Sequence, residues 1–298
     1  MGSGSWTSTS FSTYAAKRGY TTVNNSIDGI ATTSLSSNYT VQDLYRSRDL
    51  DPMLDPKNVM RECRDSEEHP NTIPVIFALD VTGSMGEATA LVAKELNAIM
   101  TKLYSEVTDV QFMVMGIGDI AYDSAPIQIS QFESDIRILE QLEKVWFEGG
   151  GGGNSYESYT AAWYMGLRHC DLDCWKRGKK GIIITLGDEP LNPYLNARQL
   201  NRVTGDNLQA NIETKDLYEE VSQKFDIYHI AVNDTHSSYR WYADEIDRTF
   251  SAYLDENHLK VCNLNDLAIT VANIIIDSSK NNSEVVGSFE GGMPEINW

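Results

Sequence analysis

Short apolar runs, each about the length of a buried strand, alternate along this chain with helical patterns, and that alternation restricts it to a layered α/β fold. The runs are IPVIFALD, VQFMVMGIGD, GIIITLGD and DIYHIAVND. They are nearly continuous rather than alternately polar, as strands covered on both faces must be. Helical patterns follow at about 86–105, 133–142, 155–169, 215–224, 238–254 and 264–277. APIQIS begins too soon after the second run for a crossover helix to intervene, so it should return as an antiparallel edge strand. LKVCNL, ahead of the last helix, should add a final strand. The expected fold class is α/β: a doubly wound, mostly parallel sheet with one antiparallel edge strand and helices on both faces.

Composition divides the chain into four. Residues 1–40 are rich in Ser, Thr, Gly and Asn and cannot bury enough apolar surface to fold alone, so this arm is expected to be disordered or draped over the main domain. Residues 41–71 read as a charged linker carrying Pro52 and Pro56. The α/β domain is placed at 72–278 and a polar tail at 279–298. Lys+Arg 24 against Asp+Glu 43 gives a net charge of -19, which repels phosphate backbones and argues against nucleic-acid binding. No apolar run approaches the roughly 18 residues of a membrane span. Four cysteines are too few for a disulfide framework and the start MGSGSWTSTS lacks the marks of a signal peptide, so the expected location is cytoplasmic.

The first strand ends in Asp80-Val81-Thr82-Gly83-Ser84, setting a carboxylate and two hydroxyls on alternating positions where strand gives way to helix. Three hard oxygens converging there suit Mg²⁺, with Mn²⁺ or Ca²⁺ as alternatives, and leave room for a ligand from outside. The third long run delivers Asp188 at its carboxyl end, and the glycine run 149–153 delivers Asn154, Ser155 and Glu157. In an open doubly wound sheet, ligands sit beyond the carboxyl ends of the strands where the winding reverses, so these loops should share one crevice.

Asp80-x-Thr82-x-Ser84, the glycine loop ending in Asn154, and Asp188 resemble the metal-ion-dependent adhesion site of von Willebrand factor A domains, over roughly 73–277. The resemblance implies a Rossmann-like sheet whose first and fourth strands flank the crevice. It also implies a Mg²⁺-dependent grip on an acidic side chain of a partner protein. Thr82 stands where the family has Ser. Asn154 stands where it commonly has Thr, so Asn154, Ser155 and Glu157 all remain candidates for the second-loop ligand. The layout of the whole chain is similar to bacterial and phage proteins built around such a domain, which adds no function.

Other readings use the same residues. Asp80 alone could be a helix cap. Ser84 lacks the Gly two positions earlier that a nucleophile elbow needs, and the glycine run lacks the Lys-Ser/Thr of a P-loop. The expectation is therefore a binding module and not an enzyme; a metal-dependent hydrolase and a metal-independent assembly role are the alternatives, and the oligomeric state is open. His169, Cys170 and Cys174 could start a zinc site but lack a fourth ligand nearby, and buried thiols are commonly core. His229 reads as a sheet residue. Asp119 and Asp123 follow the second strand and could form a second cation site, though such residues more often shape a turn. Tyr156, Tyr159, Trp163 and Tyr164 recur at helical spacing and read as core on one face and binding rim on the other.

Overall fold

The computed structural model describes residues 4–150 and 153–284. Ahead of the sheet lie helix α1 (Ser8–Arg18), the hairpin β1 (Thr22–Ile27) and β2 (Ile30–Leu35), the single turn α2 (Val41–Leu44) and β3 (Arg61–Cys63). There follow β4 (Ile73–Asp80), α3 (Gly86–Tyr104), β5 (Val110–Ile117), β6 (Ile127–Glu133), α4 (Arg137–Leu142) and α5 (Thr160–Arg168). Next come β7 (Cys170–Leu172), α6 (Asp173–Lys176), β8 (Gly181–Gly187), β9 (Tyr194–Leu195), α7 (Ala197–Thr204), β10 (Ile212–Glu213) and α8 (Thr214–Val221). The series closes with β11 (Phe225–Val232), α9 (Tyr239–Phe250), β12 (Leu259–Cys262) and α10 (Leu264–Glu284).

Six strands make one sheet in the order β12-β11-β8-β4-β5-β6, parallel throughout except that β6 runs antiparallel to β5. This is the doubly wound α/β class that the apolar runs predict, with APIQIS at the antiparallel edge and LKVCNL at the other. The chain winds outward from β4 through β5 and, after α5, outward from β8 through β11. The β4/β8 seam is therefore where the winding reverses and where a crevice must open beyond the strand ends.

The period of two along each strand divides the core. Val75, Phe77 and Leu79 of β4 and Ile182, Ile184 and Leu186 of β8 face α3 and α10. Ile76, Ala78 and Ile183 face α5, α8 and α9. Asp80 continues the second set, so its side chain emerges on the α5 side of the seam.

Residues 4–40, read from composition as disordered or draped, form α1 and a hairpin laid over α3. Trp6, Phe11 and Tyr14 are buried against the same core as Ala93 and Leu96. Thr7 and Ser10 cap α1 reciprocally, so part of the Ser/Thr content is helix-end chemistry. Fully buried Asn97 of α3 is the hub: its Oδ1 accepts from Trp6 Nε1 at 2.9 Å and its Nδ2 donates to Thr33 O at 2.9 Å. In the stretch 41–71, β3 pairs in parallel with β7.

Two boundaries shift. The helical pattern read from 155 begins as helix only at Thr160, because Glu157 makes an isolated parallel bridge with Leu191 and holds the chain extended. Residues 279–284, assigned to the tail, continue α10, in which Ser279 Oγ donates to Ile275 O at 2.6 Å. The remainder of the tail, 285–298, and Gly151 and Gly152 of the glycine run lie outside the described residues.

Candidate functional site

Four of the residues singled out in the sequence meet beyond the β4/β8 seam. Asp80, fully buried, accepts through Oδ1 from the backbone N–H of Thr82 at 2.8 Å and from the Thr82 hydroxyl. Ser84, in the single 3₁₀ turn Gly83–Met85 that opens α3, donates through Oγ to Asp188 Oδ1 at 3.1 Å. Asp188 Oδ2 accepts from the Ser238 N–H at 2.5 Å, which ties the start of α9 to the same point.

The sequence places Tyr159 among aromatics of core and rim, and its role in joining the two strand ends was missed. The Tyr159 hydroxyl donates to Asp80 Oδ2 at 2.8 Å and accepts from the N–H groups of Asp188 and Glu189 at 3.2 and 3.3 Å. Tyr159 is fully buried, and Gly187 leaves the space it fills: a Cβ on Gly187 would stand 2.0 Å from the Tyr159 oxygen. The pairing of a tyrosine with a glycine at a strand end was the only available signal.

The glycine run reaches the motif, its lack of side chains permitting the close approach. Gly83 N–H donates to Gly150 O at 2.9 Å and Gly149 N–H to Val81 O at 3.0 Å, with Gly149 at a φ of 68°. Beyond it the three second-loop candidates separate. Ser155 is exposed, and Asn154 is half-buried with its amide against the Asp119 carboxylate. Glu157 is 2% exposed, and Asp80 is the foremost of the charges acting on its carboxyl.

The electrostatics are one-sided. Burial, then the charge of Asp188, pushes the Asp80 carboxyl upward against the stabilising donors of Thr82 and Tyr159. Burial raises Asp188, opposed by Ser238 and Ser84. Burial and then Asp80, Glu189, Asp119 and Asp123 raise Glu157 furthest. Glu189 is brought to about 7 by burial and Asp188, and Asp123 to about 6 by burial foremost. The principal charges acting on these carboxyls are other carboxyls, with no Lys or Arg among them. Such a cluster holds protons or a cation; a hard divalent ion matches its all-oxygen donors. No group of three or more His, Cys, Asp and Glu side chains converges as a complete ligand set among the described residues. Any ion here therefore depends on hydroxyl and amide oxygens as well.

The remaining candidates are accounted for structurally. His169 uses both ring nitrogens, on Val59 O at 2.9 Å and Asp206 Oδ2 at 2.8 Å, and Cys170 and Cys174 are buried thiols raised by burial. His229 bonds Thr185 Oγ1 through Nδ1 at 2.8 Å and stacks on Phe250. Trp163 and Tyr164 are core, while Tyr156 is half-buried beside the Asn154 side chain. No helix among the described residues is long and apolar enough to cross a membrane.

No protein-family model matches the chain, and no curated protein matches it. Solved structures do. The pilus adhesin SpaC from Lactobacillus rhamnosus GG is 12% identical over 76% of this chain and 32% of its own, with a TM-score of 0.49. Proximal thread matrix protein 1 from the mussel byssus is 12% identical over 72% of this chain and 49% of its own, TM-score 0.44. The vWF domain of the type V pili tip protein Mfa5 from Porphyromonas gingivalis is 12% identical over 75% of this chain and 98% of its own, TM-score 0.41. The chain thus spans about a third of the adhesin and half of the byssus protein.

Proposed function

We propose that this chain is a protein-binding module of the von Willebrand A kind that holds one divalent cation, Mg²⁺ foremost, and uses it to grip an acidic side chain of a partner protein. One observation carries the reading: Asp80, Thr82, Ser84 and Asp188 come from two strand ends to one point, where carboxyls are buried together with no Lys or Arg among the principal charges acting on them. Asp80, Thr82, Ser84 and Asp188 would hold the ion, with Glu157 as the second-loop group beside Asp80. The bound ion supplies a Lewis-acidic position open to an outside carboxylate. Tyr159 and Ser238 keep Asp80 and Asp188 in place by donating to them. The Ser84 hydroxyl is committed to Asp188 and is bonded to no imidazole, so the arrangement favours binding over nucleophilic chemistry.

The test is calorimetric titration of Mg²⁺ into chelator-treated protein with Asp80→Ala as control. Saturable binding that the substitution abolishes is the expected result. Equal heats for both proteins would refute the site, and a metal-independent scaffold would then be the better reading.

A further inference from the structure

A groove leads away from this site along α3. It is a cavity of about 1050 Å³ that opens at Gly83 and Ser84 and has as its floor the face of α3 running from Glu87 to Lys94. The start of α10 makes one wall; the tip of the β1–β2 hairpin and the segment 37–42 make the other. Leu91 on the floor and Ala268 on the α10 wall give it apolar surface.

Its charged groups are unequally satisfied. Asp28 pairs with Lys102 at 2.8 Å, Glu95 accepts from Asn25 and Ser34, and Glu87 stands 3.7 Å from His236. Lys94 is the exception. It is half-buried, its Nζ donates to Ser37 O at 3.1 Å, and among the described residues no carboxylate lies within ion-pair distance of it. Burial depresses its pKa even with Glu87, Glu95 and Asp43 in the neighbourhood. In a chain with Asp+Glu 43 against Lys+Arg 24, a half-buried lysine without a carboxylate marks a place where one is to be supplied from outside.

The spacing sets the ligand. Ser84 and Lys94 are separated by about 15 Å along the helix axis, at roughly 1.5 Å per residue, and an extended chain covers that distance in about four or five residues. Over the same length a helix of about 10–12 Å diameter occupies roughly 1200–1700 Å³ and stands partly out of the groove, whereas an extended segment, about 4.8 by 10 Å in section, occupies roughly 700 Å³ and fits within it. We infer that the groove receives an extended segment of the partner protein carrying two carboxylates about four or five residues apart, one for the ion and one for Lys94, with apolar side chains between them over Leu91 and Ala268. The first carboxylate rests on the ion-dependent reading above; the second rests on the groove alone.

Random peptides displayed on phage are selected on the immobilised full chain in Mg²⁺, and in parallel on Lys94→Met and Asp80→Ala. The wild type should enrich pairs of acids at that spacing, and Lys94→Met a single acid. A synthetic peptide with the paired acids should bind the wild type about 3–10-fold more tightly than Lys94→Met. Ala268→Trp, which fills the groove and leaves Lys94 in place, should also remove the preference for the pair, so a folding defect in one variant leaves the other as the test. Single acids enriched on the wild type and released by chelator overturn the inference and leave the ion-dependent reading standing. A paired peptide whose affinity is unchanged by chelator or by Asp80→Ala but falls in Lys94→Met supports the groove and removes the ion. No enrichment on the wild type overturns the inference, while the Mg²⁺ titration judges the ion separately.

Discussion

Tyr159 fastens Asp80 to the backbone of Asp188 and Glu189 through one oxygen. Tyr159→Phe keeps the ring's packing but removes the donor to a buried carboxylate and strands two N–H groups, which should cost about 1.5–3 kcal/mol. Because it orients a ligand from behind, the same change should weaken Mg²⁺ binding by about 10–100-fold, read by titration of the folded variant. Unaltered affinity would show that Asp80 needs no orientation. Gly187→Ala drives a methyl into the same hydroxyl, and the buried ring has nowhere to swing; overpacking of about 1–3 kcal/mol should lower Tm by roughly 2–10 °C. At this scale Asp80, Thr82, Ser84 and Asp188 were legible because acids and hydroxyls at the ends of apolar strands have few other reasons to be there. Tyr159 was not, because an aromatic at helical spacing looks the same whether its hydroxyl is idle or committed. The different placements of Asn154, Ser155 and Glu157 were hidden too, since a glycine run leaves the path of its loop to tertiary contacts.

Hairpin β1–β2 and α1 depend on α3 for their burial, and α3 presents them a polar centre in an apolar face. Asn25 Nδ2 and Ser34 Oγ both donate to Glu95 Oε2 at 2.7 Å, two residues before Asn97. Asn97→Ala leaves Trp6 Nε1 and Thr33 O without partners, and each buried orphan costs about 1–3 kcal/mol. The expected outcome is faster amide exchange confined to α1, β1 and β2, with β4 and β8 still protected; uniform loss across the sheet would mean that these elements and the sheet unfold as one unit. The central strands and most helices were legible at this scale because periodicity over eight or more residues is a strong signal. The two-residue strands β9 and β10 and the three-residue β3 and β7 were not, since pairing that short is decided by where the partner lies. For the arm, read as disordered or draped, the helix and hairpin were hidden because its apolar anchors, Trp6, Phe11 and Tyr14, are few and its polar residues bond across the interface.

The whole molecule carries a charge of -19, and at the β4/β8 crevice several carboxyls are buried, which links fold stability to pH and metal. A carboxyl whose pKa is raised by folding binds its proton more tightly in the folded chain. Its contribution is complete below the unfolded value of about 4 and is lost as pH rises through the folded value. That loss is centred near 6 for Asp123 and near 7 for Glu189, and Asp80, Glu157 and Asp188 act in the same direction. His229 opposes them: burial lowers it to about 3, so its contribution is complete above the unfolded value of about 6.5 and declines as pH falls below it. Between pH 6.5 and 8 only the carboxyls should act, and the melting temperature of chelator-treated protein should fall across that interval. A cation favours the charged forms and displaces the protons, so added Mg²⁺ and Ca²⁺ should raise Tm more at pH 8 than at pH 6.5. At a free-ion concentration of 100 Kd, a single site adds about 2.7 kcal/mol, or roughly 5–10 °C for a chain of this size. Melting curves at the two pH values, with chelator or with both ions, measure the effect. A chelated Tm that rises with pH, with no widening gap on adding metal, would mean that the buried carboxyls are balanced within the chain and that the crevice holds no ion.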